Sequence, residues 1–358
     1  MAKVSRDKTV KRYHPNTATA VLIILLPIAA LLECGPVPLQ RLGGSQPNPC
    51  EDVADPGSTA IDSGVLLVDN WMYQLQDAVA SSIEATAFQI AVIDYSRNGE
   101  ESGRYSDTEM TAMKSGGRKV LAYLSVGEAE DYRYYFDQRW ISWIEGQPTS
   151  AAPCWLGRTN PDWEGNYKVQ YWSEDWQRIV LDYLDRIIED GFDGVYLDII
   201  DAFEYWSDRD NGEGYWIEES LAAERMIGLV GRIARHAREE KGKADFYIIP
   251  QNGERIFNYD STSTYLDTIS GIGIEDLYYD GAAAIPAAAT AARNNLLSGV
   301  KSAGKPVLVV DYVDRGIRPT PESIVVDFLT KAGDDGYKPY AARADRELDE
   351  INVFVGQP

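Results

Sequence analysis

The residues able to do chemistry in this chain are carboxylates, amides and phenols placed at the ends of apolar runs. Asp198 follows Val195, Tyr196 and Leu197, where a buried strand would favour another apolar side chain. A carboxylate buried without partners is costly, so Asp198 serves either a structural hydrogen-bond network or a reaction. Glu275 closes a second apolar run in the same way. Similar runs elsewhere end in Tyr73, Gln74 and Gln76, in Asp94 and Tyr95, in Ser125, Glu128 and Glu130, in Gln251 and Asn252, in Asp311 and Tyr312, and in Arg343, while Asp201 and Asp276 follow the two carboxylates. Any one of these alone reads as a turn or capping residue. The repetition reads as one cavity.

The remaining composition narrows the chemistry. Only two histidines are present, His14 near the N-terminus and His236 between arginines, so a Ser-His-Asp triad or a histidine-ligated zinc site is excluded as a first reading. The three cysteines lack metal-ligand spacing, and no Gly-x-x-x-x-Gly-Lys phosphate loop occurs, so no cofactor is expected. Carboxylate chemistry is left. Glycoside hydrolysis needs one carboxyl as acid and a second as nucleophile or base, and a divalent cation held by the same carboxylates is the competing reading. Aromatic side chains are concentrated after the third run, in the cluster Tyr132, Arg133, Tyr134, Tyr135, Phe136 and in Trp140, Trp143, Trp155, Trp163 and Trp172. Such faces stack on sugar rings, although most of them are expected to form the core of their own long loop.

These residues need elements to position them. From Glu174 to Asp190 the apolar residues Trp176, Ile179, Val180, Tyr183, Leu184, Ile187 and Ile188 recur at three and four, which predicts a helix with one buried face. Ser173 suits its N-cap and Gly191 its stop. Helix, glycine, short apolar strand and carboxylate make one unit of an α/β fold. Strand-like runs over residues 66–74, 88–94, 120–125, 194–198, 246–250, 269–275, 307–311 and 339–344 alternate with helical stretches. Eight units without a glycine-rich nucleotide loop favour a single closed (β/α)8 barrel over residues 65–358 rather than an open doubly wound sheet. In such a barrel the C-terminal strand ends converge, which would bring the polar residues above together.

Ahead of the barrel, Lys3, Arg6, Lys8, Lys11 and Arg12 precede an apolar run over residues 20–32, too short to span a bilayer and readable as an export signal within residues 1–33. The tetrad Leu31, Leu32, Glu33, Cys34 resembles a bacterial lipoprotein signal with Cys34 as the lipidated residue. Glu33 departs from the small residue usual there, which leaves plain secretion or an uncleaved anchor open. Residues 34–64, rich in Pro, Gly, Ser and Asp, read as a tether, and Cys50 and Cys154 are then free to pair in a disulfide. Membrane contact is expected only through this N-terminal segment. The formal net charge of −22 argues against nucleic acid and favours cationic partners, although it also serves solubility.

The blocks VLAYLSVGEAEDYRYYF, NYKVQYW, GFDGVYLDIIDAF, PQNGE and GIGIEDLYY occur in this order and resemble the signatures of the endo-α-1,4-polygalactosaminidase family, glycoside hydrolase family 114. The similarity runs from about Trp71 to Leu348. It implies a (β/α)8 barrel, endo-cleavage of α-1,4-linked galactosamine polysaccharide, and a carboxylate pair on the fourth and sixth strands, positions that match Asp198 and Glu275. Asp198, the shorter, suits a nucleophile that must stay ionised, and Glu275 an acid/base held protonated by a raised pKa. A partly deacetylated polymer is cationic and would suit the acidic chain. Substrate contacts are expected from Tyr73, Gln74, Asp94, Tyr95, Glu128, Arg133, Tyr196, Asp201, Asn252, Asp311, Tyr312 and Arg343. A hydrolase of another α-glycan, or an exported barrel that binds polysaccharide without cleaving it, is the alternative.

Overall fold

A computed structural model of the protein describes residues 50, 66–142, 146–317 and 322–354. The expected export segment, Cys34, nearly all of the tether and Trp143 lie outside the described residues. Eight parallel strands, β1 (Trp71–Gln74), β2 (Ile90–Ile93), β3 (Lys119–Ser125), β4 (Gly194–Asp198), β5 (Tyr247–Pro250), β6 (Ile272–Glu275), β7 (Val307–Asp314) and β8 (Lys338–Arg343), follow one another in space in chain order. Continuous ladders join β1 to β5 and β6 to β8. Between β5 and β6 the ladder shrinks to a bridge at Gln251 and Gly273, with the Asn252 N–H donating to the Gly273 carbonyl at 2.8 Å. Between β8 and β1 the indole Nε1 of Trp71 donates to the Lys338 carbonyl at 2.8 Å, and the Trp71 and Tyr340 rings pack 5.8 Å apart. The result is an α/β barrel.

Helices cover the strands. They are α1 (Ala80–Glu84), α2 (Asp107–Met113), α3 (Glu174–Glu189), α4 (Ala202–Ser207), α5 (Glu219–Arg235), α6 (Thr264–Thr268), α7 (Ala287–Ser302) and α8 (Ser323–Asp334). The face of α3 read from the sequence is the buried one: Trp176, Val180, Tyr183, Leu184, Ile187 and Ile188 are all inside, each contributing about 1.5–3 kcal/mol by leaving water. The Trp176 indole also donates to the Val126 carbonyl at 2.9 Å, which ties the helix to the end of β3. Ser173 occupies the N-cap without a side-chain capping bond, and Gly191 turns the chain at φ 83°.

Several boundaries differ from expectation, most at the first, sixth and seventh strands, the sixth beginning at Ile272 instead of residue 269. The first strand begins at Trp71, not at residue 66, because its partner β2 begins at Ile90. Residues before Trp71 are tied by side chains instead: Asn70 Oδ1 accepts from the Gln89 N–H at 2.7 Å, and Leu67 is 85% exposed. The seventh strand continues past Asp311 to Asp314, and all eight of its residues are buried.

The long connection between β3 and α3 carries an antiparallel insertion of three strands, Glu128–Glu130, Asn166–Val169 and Leu156–Thr159, in that spatial order. Trp140, Trp155 and Trp172 pack into a core, as was expected of most of them, while Trp163 is 57% exposed. Trp140 packs on Trp155 at 5.4 Å, Trp155 on Trp176 at 5.0 Å, and Trp172 on Trp206 of α4 at 5.3 Å. A disulfide joins Cys50 to Cys154, which ties the start of the described chain to this insertion. Among the described residues no helix is long and apolar enough to cross a membrane.

Candidate active site

Asp198 is the last residue of β4 and Glu275 the last of β6, both half-buried at the C-terminal mouth of the barrel. Each carboxylate is held at both oxygens. Asp198 Oδ2 accepts from the Tyr123 hydroxyl at 2.7 Å and Oδ1 from the Ile199 N–H at 2.8 Å. Glu275 Oε1 accepts from the Tyr312 hydroxyl, and Oε2 from the Asn252 amide at 3.1 Å, while Asn252 Oδ1 accepts from the Glu275 N–H at 2.9 Å. The residues that follow these two strand ends, Ile199 and Asp276, have φ of 59° and 50°, and Asn252 beyond β5 has 57°. Left-handed backbone is strained for a β-branched residue, on the order of 1–3 kcal/mol, and it turns the chain sharply so that the preceding carboxylate faces the mouth. Gly127 makes room for this turn, since a Cβ there would lie 2.3 Å from the Ile199 carbonyl oxygen.

Burial, and then the charge of Glu275, push the Asp198 carboxyl well above the usual carboxylate range, against the Tyr123 hydrogen bond. The Glu275 charge thus adds to burial in disfavouring the ionised form of Asp198. This corrects the expectation that Asp198 escapes the upward push. Beneath them the Tyr73 and Tyr196 rings pack 5.3 Å apart, and both phenols are driven upward by burial and by the two carboxylates. Ionised phenolate is excluded from the floor.

A cleft of about 470 Å³ opens from Glu275 across the ends of β4 to β6. Asp201, Glu204, Glu254 and Asp276 line it with Asn252, facing only Arg255 and Arg293. Arg255 is engaged with Glu204 at 2.7 Å and with Glu219, and Arg293 with Glu254 and, at 3.0 Å each, the carbonyls of Glu275 and Asp276. Asp201 faces cleft water yet is enclosed by the walls, and desolvation pushes it up to about 6 against the pull of Lys168. Among the described residues no group of three or more His, Cys, Asp or Glu is arranged to hold a metal ion.

The chain matches the model of glycoside-hydrolase family GH114 over residues 55–357. The chain belongs to family GH114. This glycoside hydrolase is 46% identical over 286 residues to an uncharacterized protein of Methanocaldococcus jannaschii, covering 79% of this chain and 78% of that one. A Thermotoga maritima protein, also uncharacterized, is 44% identical over 289 residues, covering 80% and 84%. Among solved structures, Aspergillus fumigatus Ega3 in complex with galactosamine superposes with TM-score 0.56 at 18% identity, covering 84% of this chain and 98% of that one. The glycoside hydrolase domain of PelA from Pseudomonas aeruginosa gives TM-score 0.54 at 15% identity, covering 79% and 96%. At these identities the superpositions speak for the fold.

Several residues expected to touch substrate in this glycoside hydrolase are committed elsewhere. Arg133 is buried, its guanidinium donating to Asp94 at 2.7 and 2.9 Å and to Glu130 at 2.7 Å, which removes both Arg133 and Asp94 from the cleft. The Tyr95 hydroxyl donates to Glu101 at 3.1 Å behind them. Glu128 is fully buried and accepts from Asn160 at 2.9 Å, Asn166 at 3.2 Å and Lys168, so it organises the insertion. Gln74 donates to the Asp349 carbonyl at 2.8 Å, and Arg343 pairs with Glu350 at 2.9 Å; both hold the C-terminal segment. Asp311 accepts from the N–H groups of Leu277, Tyr278 and Tyr279 at 2.8–3.0 Å and so shapes the turn after β6, with burial pushing it up to about 7. Tyr73, Tyr196, Asp201, Asn252 and Tyr312 remain around the pair.

Two partners escaped the sequence reading. Tyr123 sits mid-strand in β3, paired in register with Tyr196, and its inward parity with Ser125 was the available signal. Arg346 lies beyond the last strand; it grips Asp276 at 2.8 Å to both oxygens and lies 4.2 Å over the Tyr312 ring. Nothing in its local sequence marks it.

Proposed function

We propose that the protein is an exported, endo-acting hydrolase of α-1,4-linked galactosamine-type polysaccharide that works by a retaining mechanism on Asp198 and Glu275. The observation that carries this reading is a pair of carboxylates closing strands two apart at the barrel mouth, each aimed by a phenol and a second donor. In the first step Glu275 gives its proton to the glycosidic oxygen while an Asp198 oxygen attacks the anomeric carbon, which forms a glycosyl ester and releases the new chain end. In the second step Glu275 takes a proton from water, the hydroxide attacks the same carbon, and Asp198 leaves as carboxylate. Both Glu275 oxygens accept hydrogen bonds at rest. The Tyr312 hydroxyl can rotate from donor to acceptor, so Oε1 has room for the proton. With the proton on Glu275, burial still raises Asp198 but the Glu275 charge no longer adds to it, and Tyr123 and the Ile199 N–H favour the carboxylate.

Galactosamine as the repeating unit is supported by the excess of carboxylates in the cleft, which suits ammonium groups, and by the ligand named for Ega3. In the same proposal residues 1–33 direct export or anchoring through Cys34, residues 34–64 tether the enzyme, and residues 65–358 act on the polymer. The test is mass spectrometry of products after incubation with polymers of galactosamine, N-acetylgalactosamine and glucosamine. Internal cleavage of the galactosamine polymer to a ladder of oligomers is expected; products from the glucosamine polymer alone would overturn the substrate.

A further inference from the structure

Arg346 does not line the cleft, yet it touches the groups on either side of Glu275. It sits just beyond β8 on a segment that is fastened without it. The Ala344 N–H donates to the Asp314 carbonyl at 2.8 Å, and the Leu348 carbonyl accepts from the N–H groups of Leu75 and Gln76 at 2.8 and 3.0 Å, which ties the segment to the ends of β7 and β1. The Gln76 amide adds a bond to the Glu347 carbonyl at 2.7 Å. Within this segment Arg346 has φ 63°, a left-handed conformation uncommon for a residue other than glycine. Its side chain reaches back to the ends of β6 and β7. One guanidinium nitrogen donates to both oxygens of Asp276 at 2.8 Å and to Asp280 at 3.0 Å, and the guanidinium carbon stands 4.2 Å from the centre of the Tyr312 ring.

These contacts converge on one carboxylate. Asp276 is the residue after Glu275, and the Tyr312 hydroxyl donates to Glu275 Oε1. A cation bonded directly to Glu275 would hold it ionised and unfit to donate a proton. A cation on the face of the phenol acts differently. It polarises the O–H and fixes the ring, while the hydroxyl stays free to turn and accept when the proton is on Oε1. Burial, and then the Glu275 charge, hold the Tyr312 phenol well above its ordinary range, with Arg346 pulling the other way. Tyr312 therefore keeps its own proton. Arg293, the other cation nearby, is engaged with Glu254 and with the carbonyls of Glu275 and Asp276 at 3.0 Å each.

We propose that Arg346 is a positioning residue for the acid/base: by gripping Asp276 and covering the Tyr312 ring, it fixes the hydroxyl that aims Glu275 at the glycosidic oxygen. This rests on the acid role given to Glu275 above. The competing reading is an ion pair that only closes the segment after β8, but the backbone bonds at Ala344 and Leu348 already close it.

The experiment measures kcat/KM on galactosamine oligomers, whose sugar leaving group needs an acid, and on a dinitrophenyl α-glycoside of the same oligomer, whose leaving group does not. Arg346→Met should lower kcat/KM on the oligomers about 30-fold, as mispositioning a general acid does, and leave the dinitrophenyl glycoside within about 3-fold. Arg346→Lys, which keeps the charge, should recover part of the loss. Arg346→Met combined with Asp276→Asn leaves no orphaned charge at residue 276, so it should melt within a few degrees of wild type and show the same split. Equal losses on both substrates, or none on either, would overturn the positioning role while leaving Glu275 as the acid. Glu275→Gln, measured alongside, should show a larger version of the split; equal losses there overturn the acid role, and this proposal with it. A wild-type enzyme inactive on both substrates overturns the galactosamine reading on which the whole proposal rests.

Discussion

Two clusters of charge sit at neighbouring strand ends of this barrel, and they are built to opposite ends. Asp94, Glu130 and Arg133 form a closed group in which three guanidinium nitrogens reach two carboxylates, although burial still holds Asp94 above its ordinary value. Among the described residues, the side-chain oxygens of Asp198 and Glu275 have phenols, an amide and a backbone N–H as their donors and no cation. The same residue type at the same place in the fold therefore shares a cation in one case and leans on neutral donors in the other. A strand-end carboxylate marks the mouth of a barrel, and the absence of a matching cation marks the chemistry.

This contrast breaks first, and most widely, at the pair itself. Asp198→Asn and Glu275→Gln each keep shape and hydrogen-bonding reach, so kcat should fall on the order of 10⁴-fold. Removing one of two repelling charges should leave the melting temperature unchanged or raise it, as calorimetry alongside the kinetics will register. Azide rescue of Asp198→Gly with inverted product, and of Glu275→Ala with retained product, is expected from the assigned roles; the opposite stereochemistry exchanges them.

In the paired cluster the sign reverses. Arg133→Met leaves Asp94 and Glu130 buried without their cation, a loss of about 3–5 kcal/mol in denaturant unfolding. Activity per folded molecule should fall far less than in the pair variants, since Arg133 is buried on Asp94 and Glu130 and does not line the cleft. A stable Arg133→Met enzyme would erase the distinction drawn between the two clusters.

The smallest effect concerns Asp201, whose carboxyl is raised to about 6. A carboxyl raised in the folded state binds its proton more tightly than in the unfolded chain, so this group's contribution is favourable below about pH 4 and is lost as pH rises through about 6. Asp201→Asn should therefore melt above wild type at pH 7 and coincide with it near pH 4, the difference staying under about 1 kcal/mol because the side chain faces open water. A gap that grows toward low pH would contradict the raised carboxyl of Asp201.

Much of this architecture could be read before any coordinates. Apolar runs of strand length, each closed by a polar residue and separated by helical periodicity, were enough to locate all eight strands within a few residues, because burial of one layer of strands imposes that pattern locally. Asp198 and Glu275 stood out for the same reason, as charges where a strand wants apolar side chains. What the pattern could not say was which strand-end groups face one another. Arg133 looks like a substrate ligand in sequence and is an internal counter-ion in space, Asp311 looks like a cleft residue and caps a turn, and Arg346 carries no local mark yet reaches Asp276 and Tyr312. Side-chain partnership is a matter of distances across the barrel, set by the registers and turns of strands far apart in the chain, so the periodicity of a strand determines that its end is polar while only the closed barrel decides whether that charge is paired.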